Sequence, residues 1–444
     1  MNRGAEVACE TRAAGVGPAE AAAPEAPLRV RRQLPRVSEV RELLQFRAPV
    51  LDPVRRRLER ALTIEDLRAI GRRTTPRAVF DYVDGAAEAE VTARRNLDAF
   101  RTAVFVPDGL NSVADPDLST ELLGERIAFP LVFAPTGYTR MMHHEGEAAV
   151  ARVAQRNGLP YALSTVGTTT IEEVRDAAPR GRNWFQLYLT NDRALNADLV
   201  GRALAAGCDT VILTIDTAVA GGRHKDTRNG LTIPPSLTAQ TFLDMARFPY
   251  WWLNKLTTAP ISFASLRDYP GTSADVAAML FDPGLDWEHL EWLRGAWPHR
   301  LLVKGVLNPR DARRTVELGA DGVVVSNHGG RQLDRTPATL EALPAIREAV
   351  GPDATVLLDS GVRNGQDIVA AIARGADAVM IGRAYLYGFM AGGERGVERA
   401  VEILRAEYRR ALQLLGLDAT SKIAPHHVRM GSRVSDTDDL YPRR

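Results

Sequence analysis

Short apolar runs alternate with amphipathic stretches from Pro130 onward. We predict strands at the apolar runs, namely Leu131–Ala134, Pro160–Ser164, Trp184–Tyr188, Thr210–Ile215, Leu301–Lys304, Gly322–Val325, Val356–Asp359 and Ala378–Ile381. Helical patterns lie between them, among others at Glu145–Arg156, Ala194–Ala206, Pro309–Leu318 and Gly365–Ala373. Because strands that alternate with helices pair in parallel, the pattern predicts an α/β fold. Eight such units over roughly 290 residues match a closed (β/α)8 barrel, the TIM barrel.

An open doubly wound sheet is the alternative for this pattern. It predicts a Gly-x-Gly-x-x-Gly turn after the first strand. The chain has Ala134-Pro-Thr-Gly137 at that point, which is not such a turn. The sequence therefore favours the barrel.

The segments that flank the barrel have different patterns. Thr63 followed by Asp66 resembles the N-terminal capping residues of a helix, and the pattern of Ala78–Val83 predicts a second helix. We therefore expect residues 46–430 to form a barrel domain in which these helices cover one end of the barrel as a helical cap. Residues 1–45 are rich in Ala, Pro, Gly and Glu and then basic, without periodicity. We predict that they form a disordered extension, with a basic arm for a membrane or partner as the alternative. Residues 431–444 are predicted to be a C-terminal tail.

Residues 232–285 interrupt the rhythm between the fourth and fifth strands. A loop this long inside a compact domain is usually a lid or another functional insertion. It carries several aromatic residues, namely Tyr250, Trp251, Trp252, Phe263, Tyr269 and Phe281. These residues predict either the core of a small subdomain or a contact with a membrane or quinone.

Composition excludes several classes of protein. Lys+Arg 56 against Asp+Glu 55 gives a net charge of +1, which does not favour nucleic-acid binding. The two cysteines, Cys9 and Cys208, have the spacing of neither a disulfide scaffold nor a zinc module. No apolar run reaches the roughly 18 residues of a membrane helix, and the N-terminus lacks the apolar region of a signal peptide. We therefore expect a cytoplasmic protein.

Polar or charged residues stand at the predicted strand ends. In chain order these ends are Ala134-Pro135-Thr136, Ser164, Gln186 with Tyr188, Thr214-Ile215-Asp216, Lys304, Ser326 to Arg331, Asp359 to Arg363, and Gly382-Arg383. The C-terminal ends of all barrel strands open on one face, where active sites of this fold lie. Their convergence predicts a site for a polar ligand.

Part of that ligand is predicted to be phosphate. The loops after the seventh and eighth strands commonly bind phosphate in this fold. Here they offer Gly361, Gly365 and Gly382, together with Arg363 and Arg383. Glycine lets the backbone approach a ligand closely, and arginine binds phosphate oxygens in pairs.

His328 is the candidate base of the site. A neutral imidazole can take a proton near neutral pH, and a fixed carboxylate would hold its tautomer and stabilise the imidazolium. Asp216, at the end of another strand, is the candidate for that carboxylate. Arg331 and Arg223 could clamp a substrate carboxylate. His143 and His144 precede Glu145, but adjacent histidines at a helix start are expected to diverge, so no metal site is predicted.

Several motifs in order resemble one family. They are Phe80-Asp-Tyr-Val-Asp-Gly85, Ala134-Pro-Thr136, Phe185-Gln-Leu-Tyr188, Thr214-Ile-Asp216, Val303-Lys-Gly305, Ser326-Asn-His-Gly-Gly-Arg-Gln-Leu-Asp334 and Ile381-Gly-Arg383. From about Leu62 to Leu417 the chain resembles the FMN-dependent 2-hydroxy-acid dehydrogenases and oxidases. The N-terminal extension and the segment Pro35-Arg-Val-Ser38 before the barrel most resemble the bacterial L-lactate dehydrogenase branch of this family.

This resemblance implies a role for each matching position. His328 would be the base at the substrate Cα or hydroxyl, and Asp216 would stabilise its protonated form. The substrate-binding side chains would be Tyr82, Tyr188, Arg223, His328 and Arg331, with Lys304 beside flavin N1. The isoalloxazine would be held by Ala134, Pro135, Thr136, Ser164, Gln186 and Thr214. Asp359 would contact the ribityl chain, Ser326 and Ser360 would lie near the cofactor, and Gly361, Arg363, Gly382 and Arg383 would bind the phosphate.

Three residues depart from the family pattern. Val166 stands where glycolate oxidases have tryptophan, so the substrate pocket differs and glycolate is disfavoured. Ser360 and Ala86 each replace a glycine that is frequent in the family. We expect all three to be tolerated, with Val166 bearing on the choice of substrate.

The predicted function is oxidation of a small L-2-hydroxy acid with FMN, L-lactate to pyruvate in the first place. The electron acceptor would be a quinone, a cytochrome or oxygen, and Tyr250-Trp251-Trp252 suggest peripheral contact with the inner face of the cell membrane. The alternatives are oxidation of a modified peptide of the mycofactocin type, an oxygen-using oxidase, and a flavoprotein without enzymatic activity. The resemblance also implies a homotetramer.

Overall fold

The structure, a computed structural model, describes residues 34–36, 38–40, 50–230, 245–267, 269 and 284–431. The chain divides into two units, Met1–Val50 and Leu51–Arg444. The predicted extension 1–45 and tail 431–444 lie almost wholly outside the described residues, so both stay predictions.

In the described stretch from residue 51 to the barrel, four helices form the predicted cap: α1 (Pro53–Glu59), α2 (Ile64–Thr74), α3 (Arg77–Asp84) and α4 (Val91–Arg101). The predicted capping box at the start of α2 is confirmed. The Asp66 N–H donates to Thr63 Oγ1 at 3.1 Å, and the Thr63 N–H donates to the Asp66 carboxylate at 3.0 Å. This exchange satisfies two backbone donors that the first turn of a helix otherwise leaves unpaired.

Three short strands follow the cap: β1 (Ala103–Phe105), β2 (Thr120–Leu122) and β3 (Glu125–Ile127). Strands β2 and β3 pair in a hairpin. Arg182, just before a barrel strand, donates to the Leu122 carbonyl at 2.7 Å. The hairpin therefore lies at the N-terminal end of the barrel, where Leu122 and Ile127 join the interior core.

Eight parallel strands close the predicted barrel: β4 (Leu131–Phe133), β5 (Tyr161–Ser164), β6 (Asn183–Leu187), β7 (Thr210–Thr214), β8 (Arg300–Val306), β9 (Gly322–Val325), β10 (Thr355–Leu358) and β11 (Ala378–Ile381). The connecting helices are α5 (Thr139–Met142), α6 (Gly146–Arg156), α7 (Ile171–Ala177), α8 (Arg193–Ala205), α9 (His224–Arg228), α10 (Pro249–Leu256), α11 (Trp287–Ala296), α12 (Pro309–Glu317), α13 (Thr339–Val350), α14 (Gly365–Ala373) and α15 (Arg383–Leu415). A last strand, β12 (Val428–Met430), pairs antiparallel with β1. The predicted strand positions are confirmed.

Alternate residues of each barrel strand point to opposite sides. The interior residues, such as Trp184, Ile212 and Val324, form one cluster, while Phe133, Phe185 and Val323 pack outward against the helices. Strands of a closed barrel are buried on both faces, which explains why they are apolar throughout. Because apolar side chains fill the N-terminal end of the barrel, we look for functional side chains at its C-terminal end.

The insertion after β7 divides its aromatic residues between two environments. Trp251, Phe263 and Tyr269 pack against the core, whereas the Tyr250 side chain is 62% exposed. Trp251 Nε1 donates to the Met141 carbonyl at 3.0 Å and fixes α10 on α5. Phe281 lies outside the described residues. Among the residues that the structure covers, no helix has the length and apolar character needed to cross a bilayer.

Candidate active site

A cavity of about 480 Å³ lies at the C-terminal ends of the barrel strands, a size typical of cofactor and substrate sites. Most predicted site residues line it: Tyr82, Ala134, Pro135, Thr136, Ser164, Tyr188, Arg223, Lys304, His328, Arg331, Asp359, Ser360, Gly361, Arg363, Gly382 and Arg383. The other four, Gln186, Thr214, Asp216 and Ser326, are largely buried in the strand ends that form its wall. The structure thus gathers the predicted residues in one place.

His328 and Asp216 form the predicted pair. His328 Nδ1 lies 3.0 Å from Asp216 Oδ1, so Nε2 is the ring nitrogen left for a ligand. The loop after β9 turns sharply at His328, whose φ of 55° is rare for a residue other than glycine. Burial alone would raise the pKa of Asp216, but His328 and Lys304 outweigh it, so this pKa lies below its usual value. Asp216 therefore remains a carboxylate beside the imidazole.

The predicted anion clamp is assembled around Tyr82. The guanidinium carbons of Arg331 and Arg223 lie 4.8 Å and 5.4 Å from the centre of the Tyr82 ring. Arg331 also donates to the Tyr82 carbonyl at 2.5 Å. Burial and the neighbouring Arg223 lower the pKa of Arg331 to about 10, which leaves it charged at neutral pH. Two guanidinium groups close together in a buried wall favour a bound carboxylate.

Lys304 is a buried cation in the cavity wall. Its Nζ donates to Ser326 Oγ at 3.0 Å and lies 3.3 Å from Asp359 Oδ2. Burial alone would lower the pKa of Lys304, but Asp359 and Asp216 outweigh it and raise this pKa. The ammonium group therefore stays charged and contributes a positive potential to the cavity.

The neighbouring strands β5 to β7 have polar atoms that the protein leaves unpaired. Ser164 Oγ donates to Gln186 Oε1 at 3.0 Å, whereas Gln186 Nε2 and Thr214 Oγ1 are buried without a hydrogen-bond partner. An unpaired buried polar atom is costly, so such atoms point to a missing ligand. A planar heterocycle with donors and acceptors on its edge, such as the isoalloxazine of FMN, fits this wall.

At the predicted phosphate end, the arginines differ in their contacts. The Arg363 guanidinium faces the cavity beside the Tyr387 ring. Arg383 instead donates to the carbonyls of Val83, Gly329 and Gly85 at 2.7–2.8 Å. It therefore ties the helical cap to the barrel while it lines the cavity.

The glycines also differ from the prediction. Gly361 lines the cavity, but its φ of 115° and its close approach to Asn96 show that the turn itself requires glycine. Gly365 does not line the cavity. Its N–H donates to Glu407 at 3.0 Å, and a Cβ there would collide with the Tyr408 backbone. The prediction that Gly365 approaches the ligand is wrong, because α14 packs directly on α15 at this point.

The predicted divergence of His143 and His144 is wrong. Their ring centres are 4.4 Å apart, because His143 has extended backbone just after α5 rather than lying on a helix. Burial, His144 and the cation Lys255 lower the pKa of His143 to about 3. One ligand atom each of His143, His144 and Glu145 lies within 4.8 Å of the others, so these three residues have the spacing of metal ligands.

Several residues of the cavity wall were not predicted, among them Asp226, Tyr138 and Phe263. Asp226 Oδ2 lies 3.2 Å from Arg223 Nε, a pair that the Arg-x-x-Asp spacing at the start of α9 could have indicated. Tyr138 and Phe263 meet edge to face with ring centres 5.0 Å apart. Phe263 comes from the insertion, so only the folded chain brings it to the cavity.

Comparisons with known proteins agree over most of the chain. A profile of the FMN-dependent dehydrogenases matches residues 71–430. A Mycobacterium tuberculosis protein provisionally named as an L-lactate dehydrogenase is 48% identical over 399 residues, 90% of this chain and 96% of that protein. The L-lactate dehydrogenase of Pectobacterium atrosepticum is 41% identical over 365 residues, 81% of this chain and 94% of that protein. The structure of the monotopic membrane protein (S)-mandelate dehydrogenase is similar with a TM-score of 0.80 and 38% identity, covering 84% of this chain and 100% of that one.

Proposed function

Because the chain belongs to the FMN-dependent dehydrogenase family, whose members here include lactate and mandelate dehydrogenases, we propose that it oxidises a small L-2-hydroxy acid, with L-lactate to pyruvate as its reaction. Membership of this family implies FMN as the cofactor. The observation that carries the proposal is the His328–Asp216 pair, which shares one cavity with the Arg331–Arg223 clamp.

The residues of the cavity divide the chemistry between them. Arg331 and Arg223 bind the substrate carboxylate and fix its orientation. His328 Nε2 accepts the proton released at the substrate Cα or its hydroxyl, and the Asp216 carboxylate stabilises the resulting imidazolium. Tyr188 binds the hydroxyl; burial and Asp216 raise its pKa well above the usual value, so its O–H remains a donor. FMN, when bound, supplies the acceptor for two electrons.

Two features of the cavity support a small substrate side chain. The Tyr138–Phe263 pair occupies the side of the cavity that faces the insertion. Val166 fills the space beside Gly137, where a Cβ at position 137 would come within 2.5 Å of Val166 Cγ2. The methyl group of lactate needs little room between these side chains, whereas the phenyl ring of mandelate needs more.

A substrate panel tests this proposal. The purified FMN-loaded protein is mixed with an artificial electron acceptor and with L-lactate, D-lactate, glycolate or (S)-mandelate, and the 2-oxo acid is identified by mass spectrometry. Formation of pyruvate from L-lactate, at a kcat/KM at least tenfold above that for the other acids, is the expected result. A preference for (S)-mandelate would contradict the L-lactate assignment and leave the 2-hydroxy-acid chemistry in place.

We also propose that helix α10 rests on a membrane surface, where a quinone would accept the electrons. Tyr250, Leu253 and Leu256 are 62%, 62% and 76% exposed and share one face of α10. The opposite face is fixed to the barrel by Trp251, and Lys255 donates to the Arg140 carbonyl. An exposed apolar face of this kind is the feature by which amphipathic helices bind at the membrane interface. The similar (S)-mandelate dehydrogenase is itself named a monotopic membrane protein.

The remaining proposals concern the acceptor and assembly. Turnover that continues in detergent without added quinone would identify a cytochrome or oxygen as the electron acceptor. The homotetramer implied by the family resemblance would give a sedimentation mass close to four times 48.5 kDa.

A further inference from the structure

Ser360 connects the loop that carries the base with the charged wall of the cavity. Its Oγ accepts the Gly329 N–H at 2.9 Å, and its hydroxyl donates to Asp359 Oδ1 at 2.6 Å. Gly329 follows His328 directly, while Asp359 Oδ2 lies 3.3 Å from Lys304 Nζ. One hydroxyl group therefore contacts both halves of the active site.

The backbone at Ser360 is held in a conformation that favours glycine. Its φ is 73°, in the left-handed region. Thr339 Oγ1 donates to the carbonyls of Asp359 and Ser360 at 2.6 Å and 3.1 Å, which fixes the peptide on both sides. A side chain at such a position costs conformational energy, so it persists when its contacts compensate. A glycine at position 360 would keep the backbone contacts and lose only the contacts of the serine hydroxyl and Cβ, so these are the contacts that compensate.

A second serine has a matching position. Ser326 Oγ accepts the His328 N–H at 3.0 Å and the Lys304 ammonium at 3.0 Å. The two serines thus hold successive N–H groups of the base loop, one linked to Lys304 and the other to its counterion Asp359. Both links pass through hydrogen bonds to charged groups, which are stronger than neutral ones.

We propose that Ser360 is a positioning residue that holds the His328 loop and raises the reduction potential of the bound FMN through Asp359. The O–H dipole directs its positive end at the Asp359 carboxylate, in the wall that also contains Lys304. Removing it makes the potential inside the cavity more negative. A cofactor that gains electrons in this cavity is then harder to reduce.

Two substitutions at position 360 separate the effect of the hydroxyl group from the effect of the strained backbone. Ser360→Ala keeps a side chain at the left-handed position and removes the hydroxyl, whereas Ser360→Gly removes both the hydroxyl and the strain. Arg335→Gly is the matched control, because Arg335 is exposed, has a φ of 65° and lies in the loop that carries His328 without lining the cavity. An effect of strain relief alone would appear in both glycine variants.

Two measurements test the proposal, and neither depends on which acid is the substrate. Hydrogen exchange of the FMN-free protein reports the Gly329 amide within the peptide 326–332; we expect at least tenfold faster exchange in Ser360→Ala and Ser360→Gly and no change in Arg335→Gly. Titration of the bound flavin should show a reduced-to-oxidised ratio that is about tenfold lower at a fixed applied potential, which is about 30 mV for two electrons.

Three results would contradict the proposed role of Ser360. An unchanged flavin potential in both Ser360 variants overturns the coupling, and an unchanged exchange rate overturns the anchoring. A change in Ser360→Gly that Arg335→Gly shares, and that Ser360→Ala lacks, assigns the effect to the backbone and also overturns the proposal. Because the exchange measurement needs no substrate, failure of the L-lactate assignment leaves this test intact.

Discussion

Gly305 gives Asp216 the space it needs to reach His328. Gly305 has a φ of 103° at an irregularity in β8, and a Cβ on it would lie 2.7 Å from Asp216 Cβ. Strand β8 stands between the strands that carry Asp216 and His328, so the pair spans it at a distance of 3.0 Å. The absence of a side chain at Gly305 on β8 thus leaves room for the contact between Asp216 and His328.

Substituting Asp216 tests the role of the carboxylate. Asp216→Asn keeps the size of the side chain and removes the charge that we propose stabilises protonated His328. We expect kcat to fall by about 100-fold or more, since general base catalysis contributes 10²–10⁴-fold. Flavin absorption should remain, which shows that the site is still loaded. A fall of less than threefold would mean that Asp216 is not coupled to the base.

A methyl group on Gly305 should act on the same pair from a distance. In Gly305→Ala the new Cβ would collide with Asp216 Cβ and its backbone N–H, in a backbone conformation that already disfavours alanine. We expect a loss of kcat of at least tenfold and a lower melting temperature. Gly351→Ala is the control, because Gly351 has a φ of 76° but no atoms within 4 Å of its Cβ position. Equal losses of kcat in both variants would contradict the proposed effect on Asp216.

Arg331→Lys tests the clamp. Lysine keeps the charge but cannot bind a carboxylate through two parallel hydrogen bonds, and it does not replace the contact with the Tyr82 carbonyl. We expect KM for the hydroxy acid to rise at least tenfold, while Arg335→Lys, outside the cavity, leaves KM unchanged. An unchanged KM in Arg331→Lys would show that the carboxylate binds elsewhere.

The stability of the FMN-free protein should depend on Lys304 in a pH-dependent way. The pKa of Lys304 is raised, so its stabilising contribution is complete below its unfolded value and is lost only as the pH rises through the higher folded value. At pH 5 and pH 8 this contribution is therefore complete, and a difference between the two pH values comes from Asp216. In Lys304→Met, Asp216 loses one of the groups that lower its pKa, so its carboxylate takes up a proton at a higher pH than before. We expect a cost of about 3–5 kcal/mol in the free energy of unfolding near pH 8 and a smaller cost near pH 5. Urea unfolding at both pH values measures it; an equal cost at both would contradict the ion cluster.

The exposed face of α10 gives a prediction about membranes. The triple variant Tyr250→Ser, Leu253→Ser and Leu256→Ser should lose most of its co-sedimentation with anionic phospholipid vesicles. The matched control replaces Leu62, Leu204 and Leu414, which are exposed elsewhere, by serine. Full binding of the α10 variant, or equal loss in both, would contradict membrane contact through α10.

The sequence predicts the strand ends well and the surroundings less well. His328, Asp216 and Lys304 could be placed because a barrel brings the C-terminal ends of all its strands to one face. Phe263 could not be placed, since its contact with Tyr138 depends on how the insertion folds back. His143 and His144 were misjudged because their orientation depends on one extended residue between two helices. Local conformation and long insertions, rather than the regular strands, limited the prediction.

The most direct test of the central claim is an anaerobic titration of the FMN-loaded protein, followed by the visible absorption of the flavin. L-lactate should bleach the flavin stoichiometrically and D-lactate should not, and His328→Gln should remain yellow with either. A flavin that dithionite bleaches but L-lactate leaves unchanged would contradict the assignment of L-lactate as the substrate. Bleaching of the His328→Gln protein at the normal rate would contradict the role of His328.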